Sequence, residues 1–282
     1  MEHTSPAQRA FALVGPGRAG MSVALALRAA GWRATAVAGR AVDAPSVVAG
    51  AARLSVGATE VGAVGRDATV LILAVPDAAI AETAVASAPG LAPGSLVIHL
   101  SGALGLDVLA ALQRLRPDVR VGALHPLVSM PSAELGANRL AGAWCAVAGD
   151  DATVELAQAM GAQPFVVAEA ARVTYHAAAS VAANHVVAVL AQVERLAAAA
   201  DVPIEAFVPL VQSALDNVAD AGAAAALTGP VARGDLDTVV AHLAALPEGE
   251  REAYRSLARE ALRLTGRDDP LMAAVLRAEV TS

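Results

Sequence analysis

FALVGPGRAG, residues 11–20, decides how the chain is read, because an apolar run breaks directly into Gly15, Gly17 and Gly20. The run predicts a buried strand over 11–14. A helix over 19–30 follows, with apolar residues at helical spacing and a stop at Gly31. Between them the glycines fit G-x-G-x-x-G, in which the first makes the turn, the second admits a pyrophosphate and the third packs helix on strand. A pyrophosphate would rest on the helix N-terminus, whose unpaired N–H groups and dipole favour anions. The pattern means little alone, but here it follows a strand, opens a helix and heads a βαβ unit. Gly15, Pro16, Gly17, Arg18, Ala19 and Gly20 are therefore candidate dinucleotide contacts.

The second strand, 33–38, selects the cofactor. A site preferring NAD places an acid near its tip to hold the ribose 2'-hydroxyl, whereas this strand ends in Gly39 and Arg40. The guanidinium fork of Arg40 suits a 2'-phosphate, with Gly39 leaving room, so the expected cofactor is NADP(H). Asp43, the nearby acid, comes three residues too late. The run ATVLILAV over 68–75, ended by Pro76, reads as a strand buried on both faces of a parallel sheet, and Val75 and Pro76 would line the nicotinamide side. Further strands over 95–100, 119–124 and 144–147 alternate with helices over 77–87 and 105–115. The fold class is α/β, a Rossmann-type doubly wound parallel sheet over 1–168. Helical runs over 173–200, 204–226, 231–246 and 249–265 then predict an all-α C-terminal domain over 169–282.

Composition narrows the function. Residues are 56% hydrophobic but only 2% aromatic, so the core is built from Ala, Val and Leu. A net charge of -7 argues against nucleic acid and anionic membrane as partners, which want a concentrated basic face. No uninterrupted apolar stretch reaches the roughly 18 residues of a membrane span, and the start lacks a basic and apolar leader, so a cytoplasmic protein is expected. Cys145 is the single cysteine and no HExxH-like spacing occurs, so neither a disulfide nor a metal is expected. All 20 basic residues are arginine, which removes Schiff-base and lysine-acid chemistry.

AVPD at 74–77, HLSGA at 99–103, LHP at 124–126, YHAAASVAANH at 175–185 and LTGPVARGD at 227–235 form a more specific set. Together they resemble Rossmann-like oxidoreductases with a helical C-terminal domain of the 6-phosphogluconate dehydrogenase type. The set is similar to ketopantoate-reductase-like proteins and, more distantly, to pyrroline-5-carboxylate reductase. The resemblance implies hydride transfer between a nicotinamide and a carbonyl or imine held between two domains, and a homodimer through the helical domain. Better-known members carry a lysine four residues before an asparagine on the first helix after the sheet. Here Asn184 stands in that helix, with Ser180 in the lysine's place.

Carbonyl reduction needs an acid near the oxygen that becomes negative, and histidine is well matched to that task. His176, Ser180 and Asn184 recur every four residues and would share one helical stripe. His176 and Asn184 would lie about 12 Å apart along it, bracketing a small substrate. The catalytic candidates are His176, Asn184, His125 and Ser101. For the histidines the alternative is a hydrogen-bonded structural role, and Tyr175 is either an acid or a helix-start anchor. Asp77 reads as a helix cap and His185 as a packing residue. Thr228, Ser180 and Arg233 are candidate substrate contacts, with Arg233 either clamping a substrate carboxylate or pairing with Asp235 or Asp237. The leading expectation is an NADPH-dependent reductase of a small 2-oxo acid, ketopantoate first. A cyclic-imine reductase and a non-catalytic NADP(H)-binding regulator are the alternatives.

Overall fold

The computed structural model describes residues 9–277 and divides into two compact units, the first ending at Ala183 and the second beginning at Asn184. The first unit thus runs past the boundary after residue 168 that the change of pattern suggests. Its last fifteen or so residues include a helix whose side chains are engaged with the sheet, described below.

The first unit holds eight strands: β1 (Ala10–Val14), β2 (Arg33–Ala38), β3 (Gly57–Ala58), β4 (Val70–Leu73), β5 (Leu96–His99), β6 (Arg120–Pro126), β7 (Trp144–Gly149) and β8 (Gln163–Val166). They form one sheet in the order β3-β2-β1-β4-β5-β6-β7-β8. All neighbours are parallel except β6 and β7. The antiparallel step, not foreseen from sequence, arises because the connection returns to the end of β6 it left, pairing Pro126 with Cys145. The helices are α1 (Arg18–Ala29), α2 (Pro45–Leu54), α3 (Ile80–Ser87), α4 (Ala110–Leu115), α5 (Ala133–Leu140), α6 (Ala152–Ala159) and α7 (Arg172–Ser180).

Two buried layers sandwich the sheet, and alternate residues of each strand feed one or the other. Phe11, Leu13, Val70, Ile72, Leu96 and Ile98 pack with residues of α1, α2, α5 and α6. Ala12, Val14, Leu71, Leu73 and Val97 pack with residues of α3 and α4. That division is why the central strands read as unbroken apolar runs. With both faces consumed, polar chemistry is left to the strand ends.

The second unit is helical: α8 (Val186–Ala199), α9 (Val208–Ala221), α10 (Ala223–Ala226), α11 (Pro230–Arg233), α12 (Leu236–Ala245), α13 (Glu248–Thr265) and α14 (Pro270–Arg277). Its buried cluster is small, formed by Val231, Val239, Leu243, Ala258, Met272 and Leu276. Arg195 of α8 forks onto the Glu250 carboxylate at 2.5 and 3.0 Å, and Gln192 donates to the Glu250 carbonyl at 2.9 Å. The expected run over 204–226 breaks at Gly222, whose φ of 80° lies outside the helical region. The run over 173–200 contains a π-helical turn, Val181–His185. The whole helical segment Glu169–Ala199 is long and apolar enough on average to cross a membrane, although no uninterrupted apolar stretch in it is of spanning length. The segment carries His176, Asn184 and His185, which hydrocarbon would penalise heavily.

In the first unit α5 lies on α1 at Gly136, where a Cβ would overlap the Ser22 side chain. Gly136→Val should destabilise the protein by about 1–3 kcal/mol through overpacking, read as a lower urea midpoint at unchanged slope.

Candidate active site at the carboxyl edge of the sheet

The strand order reverses at β1, whose neighbours are β2 and β4, and the crevice outside such a switch point is where open α/β sheets bind ligands. A cavity of about 730 Å³ lies there, lined among others by Gly15, Pro16, Gly17, Gly39, Arg40, Ser46, Val75 and Pro76. A second cavity, of about 420 Å³, sits at the opposite, amino end of the strands, lined by residues such as Ser95, Arg120 and Asp150.

The three turn glycines differ in what they do. Gly15 has φ 89°, and a side chain there would run into the Ala74 carbonyl of the neighbouring strand end; at Gly20 it would run into the Gly15 carbonyl. These two close the fold. Gly17 has nothing within 4 Å of where a Cβ would stand, and as N-cap of α1 it makes no side-chain cap bond. Its bareness therefore serves an occupant of the cavity, with the first N–H groups of α1 as donors. The residues present fit a dinucleotide's pyrophosphate.

At the tip of β2, Arg40 is exposed, lines the cavity, and has no hydrogen bond or ion pair among the described residues. Asp43 is not among the lining residues. The reason given for Gly39 changes: the room beside it is filled by Val47, whose Cγ2 lies 2.6 Å from a Cβ placed there. Gly39 lets α2 approach, and Arg40 is the charged side chain that the tip of β2 presents to the cavity.

From Pro76 on the cavity wall the chain leads to a polar cluster over the ends of β4, β5 and β6. Asp77 does not cap the following helix; no side chain does. Its Oδ2 instead accepts from Ser101 Oγ at 2.8 Å, while Ser101 Oγ accepts from the N–H groups of Leu104 at 3.0 Å and Ala103 at 3.3 Å. One donor and two acceptor sites are all a hydroxyl has, so Ser101 is saturated as a loop brace. His99, fully buried, braces the same loop. The Ser101 N–H donates to its Nδ1 at 3.3 Å, so its Nε2–H donates to the Gly105 carbonyl at 3.2 Å.

The brace sets Gly102 between two imidazoles. A Cβ on Gly102 would lie 2.6 Å from His176 Nδ1 and 2.8 Å from His125 Nε2. His125 on β6 and His176 on α7 meet edge to face, centroids 5.6 Å apart. His125 Nδ1 is 2.7 Å from the Tyr175 hydroxyl. With the phenol as donor, Nε2 carries the imidazole proton towards Gly102. His125 and His176, separate in sequence, are thus brought together, and Tyr175 joins them.

Positive charge in this cluster comes from Arg172, which sequence reasoning missed. It is 1% exposed, and none of its guanidinium nitrogens makes a hydrogen bond. Its partner is the Glu169 carboxylate, 3.5 Å away on a side chain 61% exposed. An arginine in the first turn of a helix opposes the dipole, which is the one signal the sequence offered. Burial first, and then the Arg172 charge, lowers His99 to about 4. His125 also falls to about 4, by burial, then by His176 and Arg172. Burial pushes Tyr175 up to about 12.

Ser180 ends α7, and Asn184 falls in the π turn that follows it, which breaks the uniform spacing behind a single His176–Ser180–Asn184 stripe. His185 is exposed in the same turn. In the second unit Thr228 lines a pocket of about 320 Å³ with His242 and Tyr254. Arg233 is 65% exposed and stands 4.0 Å from Asp235. Among the described residues no group of three or more His, Cys, Asp or Glu is placed to hold a metal.

Both depressed histidines tie stability to pH. Between the unfolded value of 6.5 and about 4 the unfolded chain takes up protons that folded His99 and His125 refuse. Stability therefore falls as pH drops through that window, by at most about 1.4 kcal/mol per pH unit for each histidine. Urea unfolding at about pH 7 and about pH 5 should show the loss, and His99→Gln should shrink the difference.

Residues 2–126 match the model of a Rossmann-like domain, and residues 144–261 match a family described as a domain of unknown function, DUF2520. No curated protein matches the chain. Among solved structures the chain is similar to a proposed NADP oxidoreductase from Bacteroides fragilis, at 21% identity and TM-score 0.77, over 92% of this chain and 100% of that one. It is similar to a pyrroline-5-carboxylate reductase from Coxiella burnetii, at 17% identity and TM-score 0.58, over 92% and 98%. The reductive aminase of Aspergillus terreus, solved with NADPH and ethyl-5-oxohexanoate, aligns at 17% identity and TM-score 0.54, over 95% and 91%. At these identities the likeness is one of fold: a Rossmann-like domain followed by a helical DUF2520 region, in the company of NADP-linked oxidoreductases.

Proposed function

We propose that the chain is an NADP(H)-dependent reductase of a small compound bearing a C=O or C=N bond, acting at the carboxyl edge of β4, β5 and β6. The observation that carries this is continuity. The cavity wall at Val75 and Pro76 passes into Asp77, which holds Ser101, which sets Gly102 under the two imidazoles. The glycine turn would hold NADPH, which when bound would supply the hydride. The chain's own residues bind and orient: the α1 N-terminus takes the pyrophosphate, Arg40 the 2'-phosphate, and the edges of His125 and His176 meet a substrate heteroatom beside Gly102.

Two substrate classes are compatible with this arrangement, a 2-oxo acid such as ketopantoate and a cyclic imine. The state of His125 favours the imine. Lowered to about 4, it is a neutral hydrogen-bond donor near neutral pH, and the chain has no lysine to serve as acid. An imine that arrives protonated needs orientation more than a proton. The second unit would serve a homodimer: α9 has no buried residue, and its Val208, Leu210, Leu215 and Val218 are exposed.

Absorbance of the reduced nicotinamide, followed with pyrroline-carboxylate and with ketopantoate, tests the reaction. Turnover of neither despite tight NADPH binding would favour a binding protein without catalysis. Arg40→Asp should reverse the preference for NADPH over NADH, and an unchanged preference would remove Arg40 as selector. Gly17→Ala should keep the melting temperature while weakening NADPH, since its Cβ meets only the cavity. His176→Ala should lower kcat more than NADPH affinity.

A further inference from the structure

Arg172 is the group in this cluster that the reductase reading leaves unused. A buried guanidinium normally has its donors filled, because an unpaired buried charge is heavily penalised. Arg172 has five N–H donors, all shielded from solvent, and no hydrogen bond for any nitrogen. What faces it is a single carboxylate at 3.5 Å, too long for a charge-assisted bond, on a side chain that is mostly in solvent.

That carboxylate sits in a prepared place. Glu169 Oε1 occupies the position a Cβ on Gly105 would take, so only glycine there leaves the seat open. The carbonyl of the same Gly105 is held by His99, which fixes the seat to the end of β5. Arg172 also lies within electrostatic reach of His99, His125 and Tyr175. The seat is thus built from fixed parts, a buried arginine and a braced glycine, and filled by a loosely held one.

We propose that this seat is the carboxylate-binding subsite of the active site, with Arg172 as its cation and Glu169 as an internal carboxylate that a ligand displaces. On displacement Glu169 turns out to solvent, and the ligand's carboxylate takes the guanidinium fork in the bidentate way that Glu169 does not. The ligand is then a small carboxylic acid whose reacting carbon lies towards His125 and His176. The inference deepens the reductase reading and rests on it for the placement of that carbon. It also moves the carboxylate contact expected at Arg233 to Arg172.

The test uses the full chain loaded with NADP+ and calorimetric titration of two acids, 2-oxobutanoate and L-proline, each against its counterpart without a carboxylate, 2-oxobutanamide and L-prolinamide. Wild type should bind at least one acid and neither counterpart. Glu169→Gln, which removes the competing charge, should tighten that acid by roughly ten-fold. Arg172→Gln should weaken it by about thirty-fold or more. Should Arg172→Gln not fold, Arg172→Lys keeps the charge without the fork and should also lose affinity, while the gain in Glu169→Gln stands on its own. Failure of both acids to bind Glu169→Gln, or no loss in a folded Arg172 variant, would overturn the proposal. A separate NADPH titration of the same proteins keeps the two readings apart: absent cofactor binding sinks the reductase, and acid binding with the stated dependence on Arg172 and Glu169 still establishes the subsite.

Discussion

β1 and β4 lie side by side with the first turn glycine pressed against the strand end beyond Leu73, so that no side chain fits between Gly15 and the Ala74 carbonyl. This close approach joins the start of the chain to its fourth strand. It creates the reversal of strand order from which the cavity opens and points α1 at whatever fills it. It also fixes the level at which the ends of β4, β5 and β6 stand. Because strand side chains are divided between two buried layers, the residues free to do chemistry are those just past the strand ends. Asp77 and Ser101 lie just past those ends, and His99 and His125 in the last residues of β5 and β6.

The strands and the glycine turn were legible because local pattern determines them: a strand buried on both faces has to be apolar throughout, and a turn without room for Cβ has to be glycine. His125 and His176 were legible as chemically capable residues, but their meeting at Gly102 depends on β6 and α7 converging, which no spacing encodes. The division of labour inside the LSGA segment was hidden for the same reason. Ser101 reads as a reactive hydroxyl until its three hydrogen bonds are counted, and Asp77 reads as a cap until Ser101 is found on it. Arg172 and Glu169 carry no motif at all. Their importance lies in the burial of Arg172 and in the seat that Glu169 takes beside Gly105, neither of which an alanine-rich helix start announces.

The helical unit was read correctly in kind and less well in detail, and its composition explains both. Ala, Val and Leu at helical spacing give helices wherever they occur, but small side chains specify few unique packings. The unit buries only a short cluster of residues and leaves several apolar side chains exposed on α8 and α9. Breaks in such helices come from single residues or an added turn, as at Gly222 and Val181–His185, and periodicity cannot foresee them.

A chain with no lysine has to separate two tasks that a lysine performs together, carrying positive charge and giving up a proton. Arginine keeps its charge and cannot act as an acid in this range, so Arg172 can attract an anion but cannot protonate one. The proton-bearing groups are the phenol and imidazoles beside it, and burial together with the Arg172 charge keeps His99 and His125 neutral. A neutral imidazole fixed by Tyr175 donates a directed hydrogen bond without adding a second positive charge next to the guanidinium. Were His125 protonated, it would compete with Arg172 for the same anion and repel a cationic C=N group. On the proposed reading, its depressed basicity would let one small site hold a carboxylate at one end and a polarised double bond at the other.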